Sequence, residues 1–338
     1  VDEARLPTHV ELFALQPRVA LEDYTSPSTF AARHRALAER VDLLRTRDEA
    51  GRPRHPALAV WPEWVGAPLE LLGHVRRVHR HTTVRSALRR VARAEWWDVW
   101  HTWKELHPPT MVECLHATLA SRVHRVMHET FSAIARDFGL WVVAGSAFLP
   151  DNRLTADGPD FEPRGARIFN TSHTFSPEGV RVATARKVNL LPSSEDTLRL
   201  SPGRPEDLTL VATPFGRLGT LLGYDGAARP RTSKEPWFVP CAQYLDAWRA
   251  QVVAHPSAHP GAWDERSLDE GLLGQLPALR HVRYTVTAQL SGELFDQRFE
   301  APSLIVERTD GGATRVLARA EPSLADEVLH ALVPACPA

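Results

Sequence analysis

Ala57-Leu58-Ala59-Val60-Trp61-Pro62-Glu63 is an apolar run without a polar interruption that closes on a proline and a carboxylate. Five consecutive apolar residues bounded by proline suit a buried strand. Upstream, His9-Val10-Glu11-Leu12-Phe13-Ala14-Leu15 reads as a first strand. Phe30 to Leu44 reads as the helix after it, with Leu37, Val41 and Leu44 at helical spacing. A polar Arg/Gly/Pro segment, Arg47 to Pro56, leads into the second strand. Strand, helix, strand predicts a layered α/β fold, in which polar residues at strand ends are favoured places for function.

The whole chain is compatible with that reading. Its 338 residues, 43% hydrophobic and 24% charged, suffice for one large core, and no linker divides them, so a single domain over 1–338 is expected. No apolar run approaches the ~20 residues of a membrane helix, and the first thirty residues carry Asp2, Glu3, Arg5, Glu11 and Glu22 rather than an apolar secretory core. No membrane partner is therefore expected. A net charge of -1 lacks the footprint of nucleic-acid binding. Cys114, Cys241 and Cys336 are far apart with no CxxC pair, which fits a reduced, cytoplasmic compartment without a zinc site. Of forty basic residues only Lys104, Lys187 and Lys234 are lysine. A lysine kept among so many arginines is a candidate for chemistry that needs a compact, tunable amine.

From Pro68 to Asp137 the pattern is helical, broken at His107-Pro108-Pro109, and contains Trp96, Trp97, Trp100 and Trp103. Three of these rings share a helix face; packing against the domain is the plain reading, a lid or a subunit interface the functional one. His124 and His128, beside Glu129, stand four apart but lack a third ligand in reach. Beyond, Leu140–Phe148 reads as a strand, Ala166–Phe175 and Val180–Lys187 as a hairpin, and Leu208–Thr213 and Arg217–Leu222 as another. A helix around Tyr244 and strands at Ala250–Ala254, Arg283–Leu290, Ser303–Glu307 and Thr314–Ala320 complete the series.

Three segments carry polar residues at the ends of these elements: Trp61-Pro62-Glu63; Arg186-Lys187-Val188-Asn189-Leu190, with Pro192 and Glu195 beyond; and Gly219-Thr220-Leu221-Leu222-Gly223-Tyr224-Asp225. In their order and strand context the sequence resembles the nitrilase, or carbon-nitrogen hydrolase, family from Val10 to about Ala320. The helical stretch after Glu63 is longer than is usual there. The resemblance implies a four-layer α-β-β-α sandwich, with an extra helical insertion at about 68–128, and assembly into a homodimer or higher homo-oligomer.

Carried over by the resemblance, Glu63 is the general base, Lys187 stabilises developing negative charge, and Glu195 is a second acidic residue that positions substrate. The position matching the nucleophilic cysteine is Gly223, which has no side chain to form a thioester. Cys241, eighteen positions on, is too far along to take that place. Read in isolation, Glu63 is a helix-capping carboxylate, Lys187 a hairpin-end lysine, and Ser193-Ser194-Glu195-Asp196 a solvated turn. Two functions follow: a carbon-nitrogen hydrolase acting on a non-peptide amide or nitrile, impaired by Gly223, or a non-catalytic relative that binds a small molecule or a protein. Neither needs a cofactor or metal. The missing side chain is expected to leave room for water, an ion or a ligand beside Lys187.

Overall fold

The opening strand–helix–strand forms as read. The computed structural model describes residues 7–153, 158–191, 194–233, 235–261, 265–321 and 325–336. In it β1 spans His9–Gln16, α1 Pro27–Leu44 and β2 Ala57–Trp61. Helix α1 begins where it does because Ser26 caps it, its hydroxyl accepting from Thr29 N at 3.0 Å, with Pro27 in the first turn. Asp2, Glu3, Arg5, Pro192, Ser193 and Lys234, all named in the sequence reading, lie outside the described residues.

The following strands are β3 (Trp141–Ala144), β4 (Ala147–Asn152), β5 (Pro163–Phe175), β6 (Arg181–Arg186), β7 (Thr209–Thr213) and β8 (Gly216–Thr220). After them come β9 (Val252–Ser257), β10 (Tyr284–Gln289), β11 (Leu304–Arg308), β12 (Thr314–Arg319) and β13 (Glu327–Pro334). One sheet has seven strands, in the order β13-β1-β2-β3-β5-β4 with β6 on β5; a second has six, β12-β11-β10-β9-β8-β7; and the short strands Arg18–Val19, Ser291–Leu294 and Gln297–Phe299 make a small third sheet. At the centre of each of the two large sheets, strands run parallel: β1 with β2 and β2 with β3, and β8 with β9 and β9 with β10. The main helices are α2 (Val84–Ala94), α3 (Trp96–Leu106), α4 (Met111–Phe138) and α5 (Cys241–Ala247).

Alternation along β1 and β2 divides the core between layers. Val10, Leu12 and Leu58 point to the second sheet and meet Phe215, Val252 and Tyr284. Phe13, Ala59 and Trp61 point the other way, to Phe30 and Leu37 of α1 and Phe131 of α4. On the far face of the second sheet, Val253 and Val306 pack against Cys241 and Leu245 of α5 and Leu272. The result is the expected α-β-β-α sandwich with added helices between β2 and β3. No helix among the described residues is long and apolar enough to cross a membrane.

Some boundaries differ from the reading. Leu140–Phe148 is two strands, because the chain turns at Gly145 (φ +64°), where a Cβ would collide with the Pro62 carbonyl and Val65. That close approach holds the turn after Glu63: Ser146 accepts from Trp64 N through its hydroxyl and from Gly66 N through its carbonyl, each at 2.9 Å. The strand read from Ala250 starts at Val252 and runs on to Ser257, while β8 stops at Thr220. Strand β13 was missed; it lies antiparallel along the whole of β1, from His9↔Pro334 to Gln16↔Glu327. The plain reading of the tryptophans also fails: Trp96, Trp97, Trp100 and Trp103 are 60%, 53%, 40% and 38% exposed, and the buried side chain of α3 is Val99.

Candidate functional site

The site lies where the parallel strands of both large sheets end, the position at which side chains from distant segments converge. Pro62 stops β2 and presents Glu63, which is 2% exposed. Just past β6, Lys187 N donates to Asn170 O on β5 at 2.9 Å, so these two neighbours in the sheet reach the same carboxylate. Glu63 Oε1 accepts from Asn170 Nδ2 at 2.7 Å and from Lys187 Nζ at 2.9 Å; Oε2 accepts from Ala258 N, just beyond β9, at 3.1 Å.

Lys187 donates equally to Glu195 Oε1, also at 2.9 Å. Glu195 is fully buried, not part of a solvated turn, and its second oxygen accepts from Leu191 N. Burial disfavours the Lys187 ammonium, but the Glu195 and Glu63 carboxylates outweigh that and hold its pKa above the ordinary lysine value. Burial raises the pKa of Glu195 despite Lys187. Two carboxyl groups share one ammonium, which retains one N–H for a ligand oxygen.

Gly223 opens a tight turn, Gly223–Gly226, with φ +46°. A Cβ there would fall 2.9 Å from Glu63 Cδ and closer still to Oε2. The room expected at the glycine is therefore filled by the Glu63 carboxylate itself. His255, inside β9, lies against the same turn: Nε2 is 2.8 Å from Gly223 O and Nδ1 3.2 Å from Thr287 Oγ1. Burial pushes the His255 pKa down to about 4, so the ring is neutral. Since a carbonyl only accepts, Nε2 carries the proton and Nδ1 accepts from Thr287.

The turn after Gly223 serves as a brace. Asp225 accepts from Asn189 N at 2.7 Å and from Val188 N at 3.1 Å, pinning the segment that follows Lys187. Burial pushes its pKa up to about 7, against those backbone donors. Cys241 Sγ donates to Asp225 Oδ1 at 3.6 Å and accepts from Asn189 Nδ2 at 3.3 Å. Burial, then the Asp225 charge, holds the thiol pKa far above its ordinary value, so Cys241 is a poor nucleophile.

A cavity of about 440 Å³ opens onto Glu63, Lys187, Gly223 and His255, with Arg231 and Thr287 further along its wall. The sequence reading brought Glu63, Lys187, Glu195 and Gly223 forward, and they meet here. It missed Asn170 and His255. His255 directly follows the strand read at Ala250–Ala254, so a polar residue at a strand end was legible there, although the strand in fact runs through it to Ser257; Asn170 sits inside a strand and gave no such signal. His124 and His128 are elsewhere: His124 Nδ1 faces Pro159 O at 3.2 Å and Nε2 faces Arg181 at 3.0 Å. Among the described residues no group of three or more His, Cys, Asp or Glu is placed to hold a metal ion.

Sheet order and layering define the class of fold, that of amidases of the nitrilase superfamily. Among the solved structures that share this fold are amidases from Nesterenkonia. An amidase from Nesterenkonia sp. superposes with a TM-score of 0.59 at 17% identity, over 98% of this chain and 92% of that one. A variant of the Nesterenkonia sp. AN1 amidase, with acrylamide added at its active-site cysteine, gives 0.58 at 17% identity over 96% and 92%. A cysteine-to-serine variant of that amidase gives 0.57 at 17% identity over 99% and 93%. No family model matches the chain, and no curated protein matches it in sequence.

Proposed function

We propose that this chain is a carbon-nitrogen hydrolase-fold protein that binds a small amide- or nitrile-like molecule in the cavity beside Glu63 and Lys187 without forming a covalent acyl intermediate. The observation that carries the reading is the Glu63 carboxylate standing where a side chain at 223 would have to be. A covalent acyl-transfer site needs a nucleophile, in the resembling family a thiol, within reach of its base and of the group that stabilises the oxyanion. Here Gly223 matches the position of the thiol in the resembling family, and Cys241 keeps its proton in a bond to Asp225.

What remains suits recognition of a neutral polar group. The free N–H of Lys187 donates to a carbonyl oxygen or nitrile nitrogen, and Glu63 Oε2 accepts from an amide N–H. The neutral His255 adds no charge to the cavity.

The test is intact-mass spectrometry after incubation with acrylamide and fluoroacetamide, beside calorimetry with acetamide and acetonitrile. Saturable binding without an adduct or turnover supports the proposal. An adduct at Cys241 overturns the assignment of the site, and steady hydrolysis without an adduct replaces binding by direct attack of water with Glu63 as base.

A further inference from the structure

The strongest feature outside the site is the exposed face of α2 and α3. Residues 74–104 carry seven arginines and one lysine against two acids, in a chain whose net charge is -1. All seven arginines, from Arg76 to Arg93, are exposed, and none forms an ion pair among the described residues. The charge is organised. Arg85, Arg89 and Arg93 recur at four-residue spacing on α2 and line a groove of about 1000 Å³ together with Trp96, Trp100 and Trp103 of α3. The floor is aliphatic: Leu88, Val99 and Leu115 are at most 8% exposed. Trp97 stacks on Trp100 (centroids 5.2 Å apart), and the Lys104 ammonium sits 3.6 Å above the Trp100 ring.

Four tryptophans on one surface helix are costly to leave in water, so the face is built to be covered. Its charge selects the cover. A second copy meeting this face across a two-fold axis brings like charges together. A single-stranded nucleic acid would satisfy the arginines and could stack on the exposed rings, but it would leave the aliphatic floor of Leu88, Val99 and Leu115 without an apolar partner. Arginine heads beside tryptophan rings, over an apolar groove, match an interface with phosphates outside and hydrocarbon beneath.

We propose that α2 and α3 form a peripheral docking face for an anionic phospholipid surface. The arginine stripe pairs with lipid phosphates, the tryptophans enter the headgroup layer, and the groove takes a length of acyl chain. The absence of a spanning helix has no bearing on such a face, which lies on the membrane rather than through it.

Sedimentation with vesicles of phosphatidylcholine alone, and of phosphatidylcholine mixed with phosphatidylglycerol, tests this on the full chain. Binding is expected to the mixed vesicles alone and to weaken as salt screens the arginines. Charge reversal at Arg85, Arg89 and Arg93 to Glu should lower affinity by roughly two orders of magnitude. Trp97→Ala with Trp100→Ala should lower it without moving the thermal midpoint, because both rings are largely exposed. Absence of sedimentation, or equal binding to both vesicles, overturns the proposal. So does a dimer that the tryptophan variant dissolves, or capture of single-stranded DNA in preference to vesicles.

Discussion

Glu63 and a side chain on Gly223 claim the same space: a Cβ at 223 would lie 2.9 Å from Glu63 Cδ, nearer still to Oε2, on a backbone at φ +46°. Gly223→Ala therefore pays both for the left-handed conformation and for displacing a carboxylate held by Asn170, Lys187 and Ala258. The expected loss is about 1–3 kcal/mol in urea unfolding. Gly223→Cys should lose as much, and its thiol should alkylate with fluoroacetamide only once Glu63 has moved, seen as faster labelling when combined with Glu63→Gln. An Ala variant as stable as the parent would place Glu63 elsewhere.

Lys187 holds two buried carboxylates together, so its removal should be felt chiefly through them. Lys187→Met leaves Glu63 and Glu195 buried without a counter-charge and is expected to cost about 3–5 kcal/mol. Adding Glu195→Gln should recover part of that loss, since one of the two stranded charges is gone. A double variant with the full sum of both single losses would mean that the three groups are not coupled.

Acid should destabilise the protein through His255. Burial, reinforced by Lys187 and opposed by the bond to Gly223 O, lowers its pKa from an ordinary 6.5 to about 4. Between these values the unfolded chain binds a proton that the folded one refuses, so stability falls as pH drops below 6.5 and the loss is complete near 4. His34 and His124, with pKa values lowered to about 3 and about 4, add in the same direction. Asp225, raised to about 7, opposes them by favouring the folded state as pH falls from about 7 toward its ordinary carboxylate value. His255→Gln should flatten the acid limb of the urea midpoint against pH; an unchanged limb would show that His255 takes up its proton as readily in the folded chain as in the unfolded one.

The three cysteines should label in order of access. Cys336 is half-buried, whereas Cys114 and Cys241 are buried, Cys241 in its bond to Asp225. Iodoacetamide on the native protein, read by peptide mass spectrometry, is expected to modify Cys336 first and the others only on unfolding. Early labelling of Cys241 would mark it as a reactive thiol.

Much of the frame was legible because local patterning carries it. The unbroken run Ala57–Trp61 and the spacing in α1 need no distant contact to be recognised, and both formed with the expected type. Strand β13 escaped notice because its burial is mixed, and its pairing partner lies at the other end of the chain. The break at Gly145 was hidden for a related reason: it answers to Pro62, a neighbour in space and not in sequence.

By itself the sequence determined which residue types stand at the ends of buried strands, and so that Glu63 and Lys187 were candidates for one site; strand ends can be read from period and punctuation. Tertiary structure alone decided what those residues do to one another. The contacts of Glu63 with Asn170, Lys187 and Ala258 close loops of 107, 124 and 195 residues, and no local pattern encodes such distances. The same holds for Glu195, whose turn-like sequence is buried only because an ammonium from another strand end meets it. It holds for the tryptophans of α3 as well, since helical spacing tells which rings share a face, and only packing decides whether that face meets the core or the solvent.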